Sequence, residues 1–207
     1  MENGETYESK TVIVATGTKH RELNVKGEEE LRNKGVSYCA TCDGPLFRGK
    51  TVAVVGGGDS AVKESLLLSE YCPKVYIIYR GEMVRPEPIN LRRMQANPKI
   101  ELILKTNIVE ILGEKSIQKV KFDTGKELEL GGLFIEIGRI PLTDCVKNLG
   151  LALNEKGEIK ISRVSETNVP GVFAAGDVTD TDWKQAITGV GEGAHAANSA
   201  YEYIRSA

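Results

Sequence analysis

A chain of 207 residues, 41% of them apolar and 27% charged, can bury a real hydrophobic core in one or two domains without disulfide staples. A formal net charge of −2 gives no field that would draw nucleic acid or an anionic membrane, and no apolar run reaches the length of a membrane span. Met1-Glu2-Asn3-Gly4-Glu5 has neither the basic nor the apolar region of a signal peptide, so a cytoplasmic location is expected.

In chain order, Thr11-Val12-Ile13-Val14-Ala15-Thr16-Gly17 is a β-branched run ending in glycine, the pattern of a buried strand feeding a turn. A polar stretch, residues 19–34, leads to Tyr38-Cys39-Ala40-Thr41-Cys42-Asp43-Gly44. Two residues between the cysteines keep the second sulfur within bridging reach of the first, so that one thiol can attack a disulfide and the other resolve the intermediate. Asp43 would then be the proton donor or acceptor for the outgoing thiolate. An inert surface pair or half of a zinc site is the alternative, the latter since C-x-x-C is also metal-ligand spacing. The zinc site is short of ligands: Cys72 and Cys145 are single and distant, and His20 and His195 form no closely spaced pair. In a cytosolic protein, paired cysteines are more often catalytic than structural, and no metal is expected.

Residues 50–55 form a second buried run, Gly56-Gly57-Gly58 ends it, and residues 59–69 have the apolar spacing of an amphipathic helix through Val62, Leu66 and Leu67, with Leu68 beside them. Val75-Tyr76-Ile77-Ile78-Tyr79 completes β-α-β. Gly56-x-Gly58-x-x-Ala61, with Asp59 and Ser60 inside it, therefore lies between strand and helix. There glycines admit a pyrophosphate to the backbone and a helix N-terminus faces it. A plain glycine turn is the alternative. The end of the next strand selects the nicotinamide cofactor, because an acidic residue binds the ribose 2′-hydroxyl and an arginine accommodates a 2′-phosphate. Here it reads Tyr79-Arg80, with Arg85 close behind, which favours NADPH over NADH unless these are surface arginines.

Pro86-Glu87-Pro88 can open a short helix over residues 89–94, which Asn97-Pro98 ends. Residues 100–104, 108–112, 117–122 and 127–130 alternate enough to suggest a small antiparallel addition turned by Thr124-Gly125. Residues 132–138 return as a buried strand expected to rejoin the nucleotide-binding sheet and bring Gly138 and Arg139 to the cofactor, although Arg139 reads equally well as a surface loop residue. Val172-Phe173-Ala174-Ala175-Gly176-Asp177 is a buried strand ending in Gly-Asp, followed by a small-residue helix from about residue 184 to 204. A carboxylate there can bind a ribityl or ribose hydroxyl, and the helix start can stabilise a reduced isoalloxazine; equally, the segment is a turn before a packed helix. The alternation of β and α signals gives an α/β fold.

Taken together and in this order, these segments resemble low-molecular-weight thioredoxin reductase, a flavoprotein that passes electrons from NADPH through FAD to thioredoxin. The matching stretches are Ala15-Thr16-Gly17, Cys39 to Gly44, Val54 to Val62, Gly132-Leu133-Phe134-Ile135, and Pro170 to Val178 with Lys184-Gln185-Ala186-Ile187-Thr188. The resemblance implies a Rossmann-like NAD(P)-binding domain, residues 19–141, inserted in an FAD-binding domain made of residues 1–18 and 142–207. It implies NADPH at Gly56 to Ala61, Tyr79, Arg80, Arg85, Gly138 and Arg139, and FAD at Thr16, Gly17, Gly176, Asp177, Lys184, Gln185 and Ala186. Cys42 would face the flavin and Cys39 attack the partner, thioredoxin or a glutaredoxin-like protein; the intact enzyme would be a homodimer. The family also rotates its NADPH domain between two arrangements, which places a hinge near residues 17–21 and 138–142. Two departures stand out. Family members begin with a Gly-x-Gly-x-x-Gly segment for the FAD pyrophosphate that this sequence lacks, so a truncated FAD-binding domain that purifies without FAD is expected. The family's His-Arg-Arg followed by a further arginine is here Tyr79-Arg80-Gly81 with Arg85, one charge fewer.

Overall fold

The computed structural model describes residues 5–206; Met1-Glu2-Asn3-Gly4, read above for a leader, lies outside them. Two compact units divide the chain: a continuous one, His20–Gly138, and a discontinuous one, Met1–Lys19 with Arg139–Ala207. The crossings fall at Lys19/His20 and Gly138/Arg139, where the sequence placed them at 18/19 and 141/142.

In chain order the strands and helices are β1 (Val12–Val14), β2 (Thr18–His20), β3 (Val36–Ser37), α1 (Ala40–Asp43), β4 (Thr51–Val55), α2 (Asp59–Tyr71), β5 (Lys74–Tyr79), α3 (Pro88–Gln95), β6 (Ile100–Leu104), β7 (Ile108–Gly113), β8 (Ile117–Phe122), β9 (Glu127–Glu129), β10 (Gly132–Ile135), β11 (Arg139–Pro141), β12 (Val172–Ala174) and α4 (Ala186–Ser206). Among the described residues the largest sheet has five strands in the order β3-β10-β4-β5-β6, all parallel, inside the continuous unit. β4, β5 and β10 are runs of Val, Ile, Leu and Phe because a parallel strand is covered on both faces. Val52, Val54, Val75, Ile77, Ile78, Leu133 and Phe134 are fully buried, each contributing about 1.5–3 kcal/mol of transfer free energy. Phe134 meets Phe47 edge-on with ring centroids 4.9 Å apart, in a cluster with Ala61 and Leu68 of α2.

Parallel pairing carries a positional consequence. The carboxyl ends of β3, β4, β5 and β10 fall along one edge of the sheet, and after β4 the chain moves to β5 on one side while β10 closes on the other. A crevice opens at such a reversal of strand order.

β6 corrects one expectation. It pairs in parallel with β5 from Val75↔Ile100 to Tyr79↔Leu104, so only β7, β8 and β9 form the antiparallel addition. Alternation alone could not separate the two, because β6 is an edge strand whose Glu101 and Leu102 are exposed.

In the discontinuous unit β1 pairs in parallel with β12, Val12↔Val172 to Val14↔Ala174. Val14, Val172, Ala174 and Val178 pack with Ile159 in one small core, while Phe173 and Ala175 face Ala196 and Ala200 of α4. The buried strand expected at β1 is only partly buried: Val12 and Ile13 are 42% and 43% exposed, with β12 as its ladder partner. α4 begins at Ala186 rather than residue 184, and a 3₁₀ turn, Asp144–Leu149, was not foreseen.

Candidate functional site

At the carboxyl end of β3 the chain turns into α1 through Cys39, whose backbone is extended and whose Sγ accepts the N–H of Cys42 at 3.2 Å. Cys39 and Cys42 are joined as a disulfide, their Cα atoms 5.3 Å apart. No group of three or more His, Cys, Asp or Glu among the described residues is arranged to hold a metal ion. Cys42 is exposed and Cys39 half-buried. Asp43, at the end of α1, accepts a hydrogen bond from the Ser37 hydroxyl at 2.7 Å, and the same hydroxyl oxygen accepts the Cys39 N–H at 3.1 Å. Ser37, 4% exposed, thus ties both ends of the motif to β3. Glu64 of α2 accepts the Ala40 N–H at 3.3 Å and fixes the start of α1.

Tyr38, just before the pair, is anchored from below. Its hydroxyl donates to Glu28 at 2.8 Å, its ring lies 5.1 Å from that of His20, and Arg32 stands 4.8 Å from the ring centroid. Burial first, and then the neighbouring Glu28 carboxylate, push the Tyr38 hydroxyl well above the ordinary tyrosine range. Glu28, 4% exposed, also accepts the N–H groups of Leu23 and Asn24 at 3.0 and 2.7 Å. Ser37, Glu28 and Glu64 went unnoticed in the sequence. They lie apart from the motif or on a different element, and only the fold brings them to it.

Along the same sheet edge, β4 ends in Gly56, at φ +152°, where an added Cβ would overlap the Glu136 carbonyl after β10 and the Ala61 methyl. Gly56 therefore sits at the strand-order reversal and needs to be glycine. Gly57 is closed by the Tyr79 ring. Gly58, the N-cap of α2 at φ −91°, is exposed and would leave a Cβ in open space. An open glycine at the start of a 13-residue helix is the cradle that a pyrophosphate fits, so these residues suit a dinucleotide. Ser60 is exposed at the same helix start, whereas Asp59 faces other partners. Its carboxylate accepts the Glu87 N–H at 2.9 Å and the Asn90 amide at 2.8 Å and pairs with Lys63 at 2.7 Å. Partial burial opposes its charge, but these bonds outweigh that and hold its carboxyl below the usual range. It works as a clasp between α2 and α3.

Arg80 is exposed at the end of β5, and Arg85 is tied to the loop by its N–H to the Gly57 carbonyl at 2.7 Å. The continuous unit thus brings together Gly56 to Ala61, Tyr79, Arg80 and Arg85. Gly138 ends this unit, but Arg139 belongs to the discontinuous one, where its guanidinium pairs with Asp177 at 3.0 Å. The structure places Arg139 with a candidate flavin residue, not in the unit of the glycine loop to which the sequence had assigned it.

Gly176 and Asp177 follow β12; Gly176, at φ +80°, adopts a left-handed backbone that favours glycine, and an added Cβ would lie in van der Waals contact with Gly189 of α4. Glu192 of α4 accepts the Gly176 N–H at 2.6 Å and the hydroxyls of Thr179 and Thr181 at 3.2 and 2.5 Å. Lys184 points its ammonium inward, to the carbonyls of Asp177 and Thr179 at 3.0 and 2.6 Å and to Glu158 at 3.1 Å. Burial works against the Glu158 charge, yet the Asn154 and Lys184 bonds hold its carboxyl below the ordinary range. Lys184 is thus a brace for the loop rather than a free cation at a helix start. Gln185 accepts the Thr188 and Gly189 N–H groups through its carbonyl, leaving Ala186 exposed on the first turn of α4. Thr16 donates to the Leu142 carbonyl at 2.7 Å, and the Gly17 carbonyl accepts the Leu142 N–H at 3.0 Å. A carboxylate at a strand end, braced beside an exposed helix start, has the donors and acceptors that suit the polyol and ring of a flavin.

Residues 1–193 match the family model for pyridine nucleotide-disulphide oxidoreductase. One subunit of the alkyl hydroperoxide reductase of Staphylococcus aureus is 43% identical over 99% of this chain, which spans 41% of that relative's length. Thioredoxin reductase from Streptococcus pyogenes, a crystal structure, superposes with TM-score 0.91 at 40% identity, covering 99% of this chain and 68% of that one. The Lactococcus lactis thioredoxin reductase gives 0.71, also at 40% identity, with 99% and 69% covered. With a family match over most of its length, an α/β fold shared with thioredoxin reductases, and a disulfide and a glycine loop on one sheet edge, the chain belongs to the pyridine nucleotide-disulphide oxidoreductase family, whose members unite flavin and pyridine nucleotide binding.

Proposed function

We propose that the protein is an NADPH-dependent disulfide reductase that hands electrons through FAD to the Cys39–Cys42 pair and on to thioredoxin or a glutaredoxin-like protein. The observation that carries this reading is the Cys39–Cys42 disulfide with Asp43 held beside it, on the same sheet edge as the open glycine at Gly58. When bound, FAD supplies the conversion of a two-electron hydride into electrons that a disulfide can accept.

The chain's own residues have definable tasks. Gly56 and Gly58 admit the pyrophosphate to the backbone, and Arg80 and Arg85 offer guanidinium groups to the 2′-phosphate. Asp177, with Thr16, Gly17, Gly176, Gln185 and Ala186, lines the flavin side, with Lys184 and Glu192 setting the loop. Arg139 shifts to this second list. Reduction breaks the S–S bond. The Cys39 thiolate, favoured by the Cys42 N–H, attacks a sulfur of the partner's disulfide; Cys42 then displaces the partner, which leaves as a dithiol while the Cys39–Cys42 bond re-forms. Asp43, fixed by Ser37, exchanges the proton as thiols form and leave. The two crossings at Lys19/His20 and Gly138/Arg139 are where a hinge between units belongs on this reading.

Consumption of NADPH in the presence of FAD and a disulfide-form partner tests it. NADPH should be oxidised over many turnovers only when FAD and the partner, thioredoxin or a glutaredoxin-like protein, are both present; without the partner, oxidation stops once the bound flavin and the Cys39–Cys42 disulfide are reduced. Dinucleotide binding without consumption across both partner classes would instead make the chain a non-catalytic NAD(P)-binding module.

A further inference from the structure

We propose that Tyr79 sets nucleotide specificity by holding Arg85 in the orientation that meets a 2′-phosphate, and that its ring is the reason position 81 carries no side chain. The inference rests on the reading of the glycine loop as an NADPH site and names the device that reads the phosphate.

Arg85 is fixed twice. Its N–H reaches the Gly57 carbonyl at 2.7 Å, in a bridge that also pairs Gly58 with Arg85, and its guanidinium donates to the Tyr79 hydroxyl at 3.1 Å. An exposed arginine otherwise spreads over many rotamers, and each must be given up when a phosphate binds. Tyr79 removes part of that loss beforehand and leaves the other guanidinium N–H groups to donate outward.

The ring itself lies between two glycines. A Cβ on Gly57 would fall inside one edge of the Tyr79 ring, and a Cβ on Gly81 would fall against its other edge and hydroxyl. The backbone at 81 is not free to withdraw, because the Gly81 carbonyl accepts the Lys105 N–H at 3.1 Å. Any side chain at 81 therefore expels the ring from Gly57 and breaks its bond to Arg85. A second guanidinium at 81 and an oriented Arg85 exclude each other, and this chain has the oriented one.

The experiment titrates NADP⁺ and NAD⁺ separately into the unaltered protein and into Tyr79→Phe, Gly81→Arg and Tyr79→Ala/Gly81→Arg, and compares the affinity ratios. The unaltered protein should prefer NADP⁺. Tyr79→Phe, nearly isosteric and expected to fold, should lower that preference about fivefold, the scale of one ordinary, solvent-exposed hydrogen bond. Gly81→Arg should lower it despite the added charge, and removal of the ring in the double variant should restore it. A Tyr79→Phe protein with an unchanged ratio, or a Gly81→Arg protein with a raised one, overturns the role of Tyr79 while leaving the site assignment standing. Equal affinities in the unaltered protein overturn the 2′-phosphate reading and this inference with it.

Discussion

Cys42→Ser protein, reduced and mixed with the disulfide form of its partner, is expected to accumulate a covalent adduct through Cys39, whereas Cys39→Ser forms none; both variants lose turnover completely. The asymmetry follows from the order of events. The thiol that attacks first is trapped when its resolving partner is missing, while loss of the attacking thiol leaves nothing to trap. Two features bear on which cysteine that is. Cys42 is the more exposed, but it is the Cys39 sulfur that accepts a backbone N–H, and that bond stabilises a thiolate at Cys39. Mass spectrometry of the adduct decides: linkage through Cys42 in the Cys39→Ser protein reverses the roles, and full activity in both single variants removes the pair from catalysis.

The second large effect separates two glycines of one loop. Gly58→Ala should leave folding nearly intact, because the position has φ −91° and an added methyl meets no protein atom within 4 Å. Dinucleotide affinity should nonetheless fall by at least about tenfold, or ~1.4 kcal/mol, since the methyl occupies the approach of the pyrophosphate to the helix start. Gly56→Val should do the reverse in order of severity. At φ +152° and against the Glu136 carbonyl, the branched side chain strains the β4–α2 turn itself, so the melting temperature falls along with binding. Calorimetric titration beside thermal melts reads both. A Gly58→Ala protein that binds dinucleotide as tightly as the unaltered chain would show that the ligand does not pass over this loop.

Legibility in the sequence tracked locality. β4, α2 and β5 were readable because a buried run, a glycine turn and an amphipathic repeat follow one another without interruption, and the Cys-x-x-Cys-Asp segment announces its chemistry within five residues. Strand direction was not readable. β6 and β7 alternate in similar fashion, and what separates them is pairing with β5 or with β8, a long-range choice that local pattern does not encode. Burial of β1 was overestimated for the same reason, since Val12-Ile13-Val14 would read alike under one covering layer or two. The candidate site was legible as motifs and illegible as support. Nothing near the cysteines in the sequence points to Glu28, Glu64 or the dual role of Ser37, and Arg139 follows the glycine-ended strand so closely that only its ion pair with Asp177 reveals the other unit. Tyr79 was noted by position, but its relation to Gly57 and Gly81 exists only where the turns close on its ring.

Anaerobic thiol counting on the full protein with FAD bound, before and after NADPH, tests the central claim most directly. Cys72 and Cys145 are the free cysteines of this chain, so in the oxidised protein its peptides should carry two thiols after denaturation. With NADPH the expected result is two more, both assigned to Cys39 and Cys42 by alkylation and peptide mapping. An unchanged count while the bound flavin is reduced would mean that electrons reach the flavin and do not pass to the Cys39–Cys42 disulfide, and would contradict the assignment of this chain as a disulfide reductase.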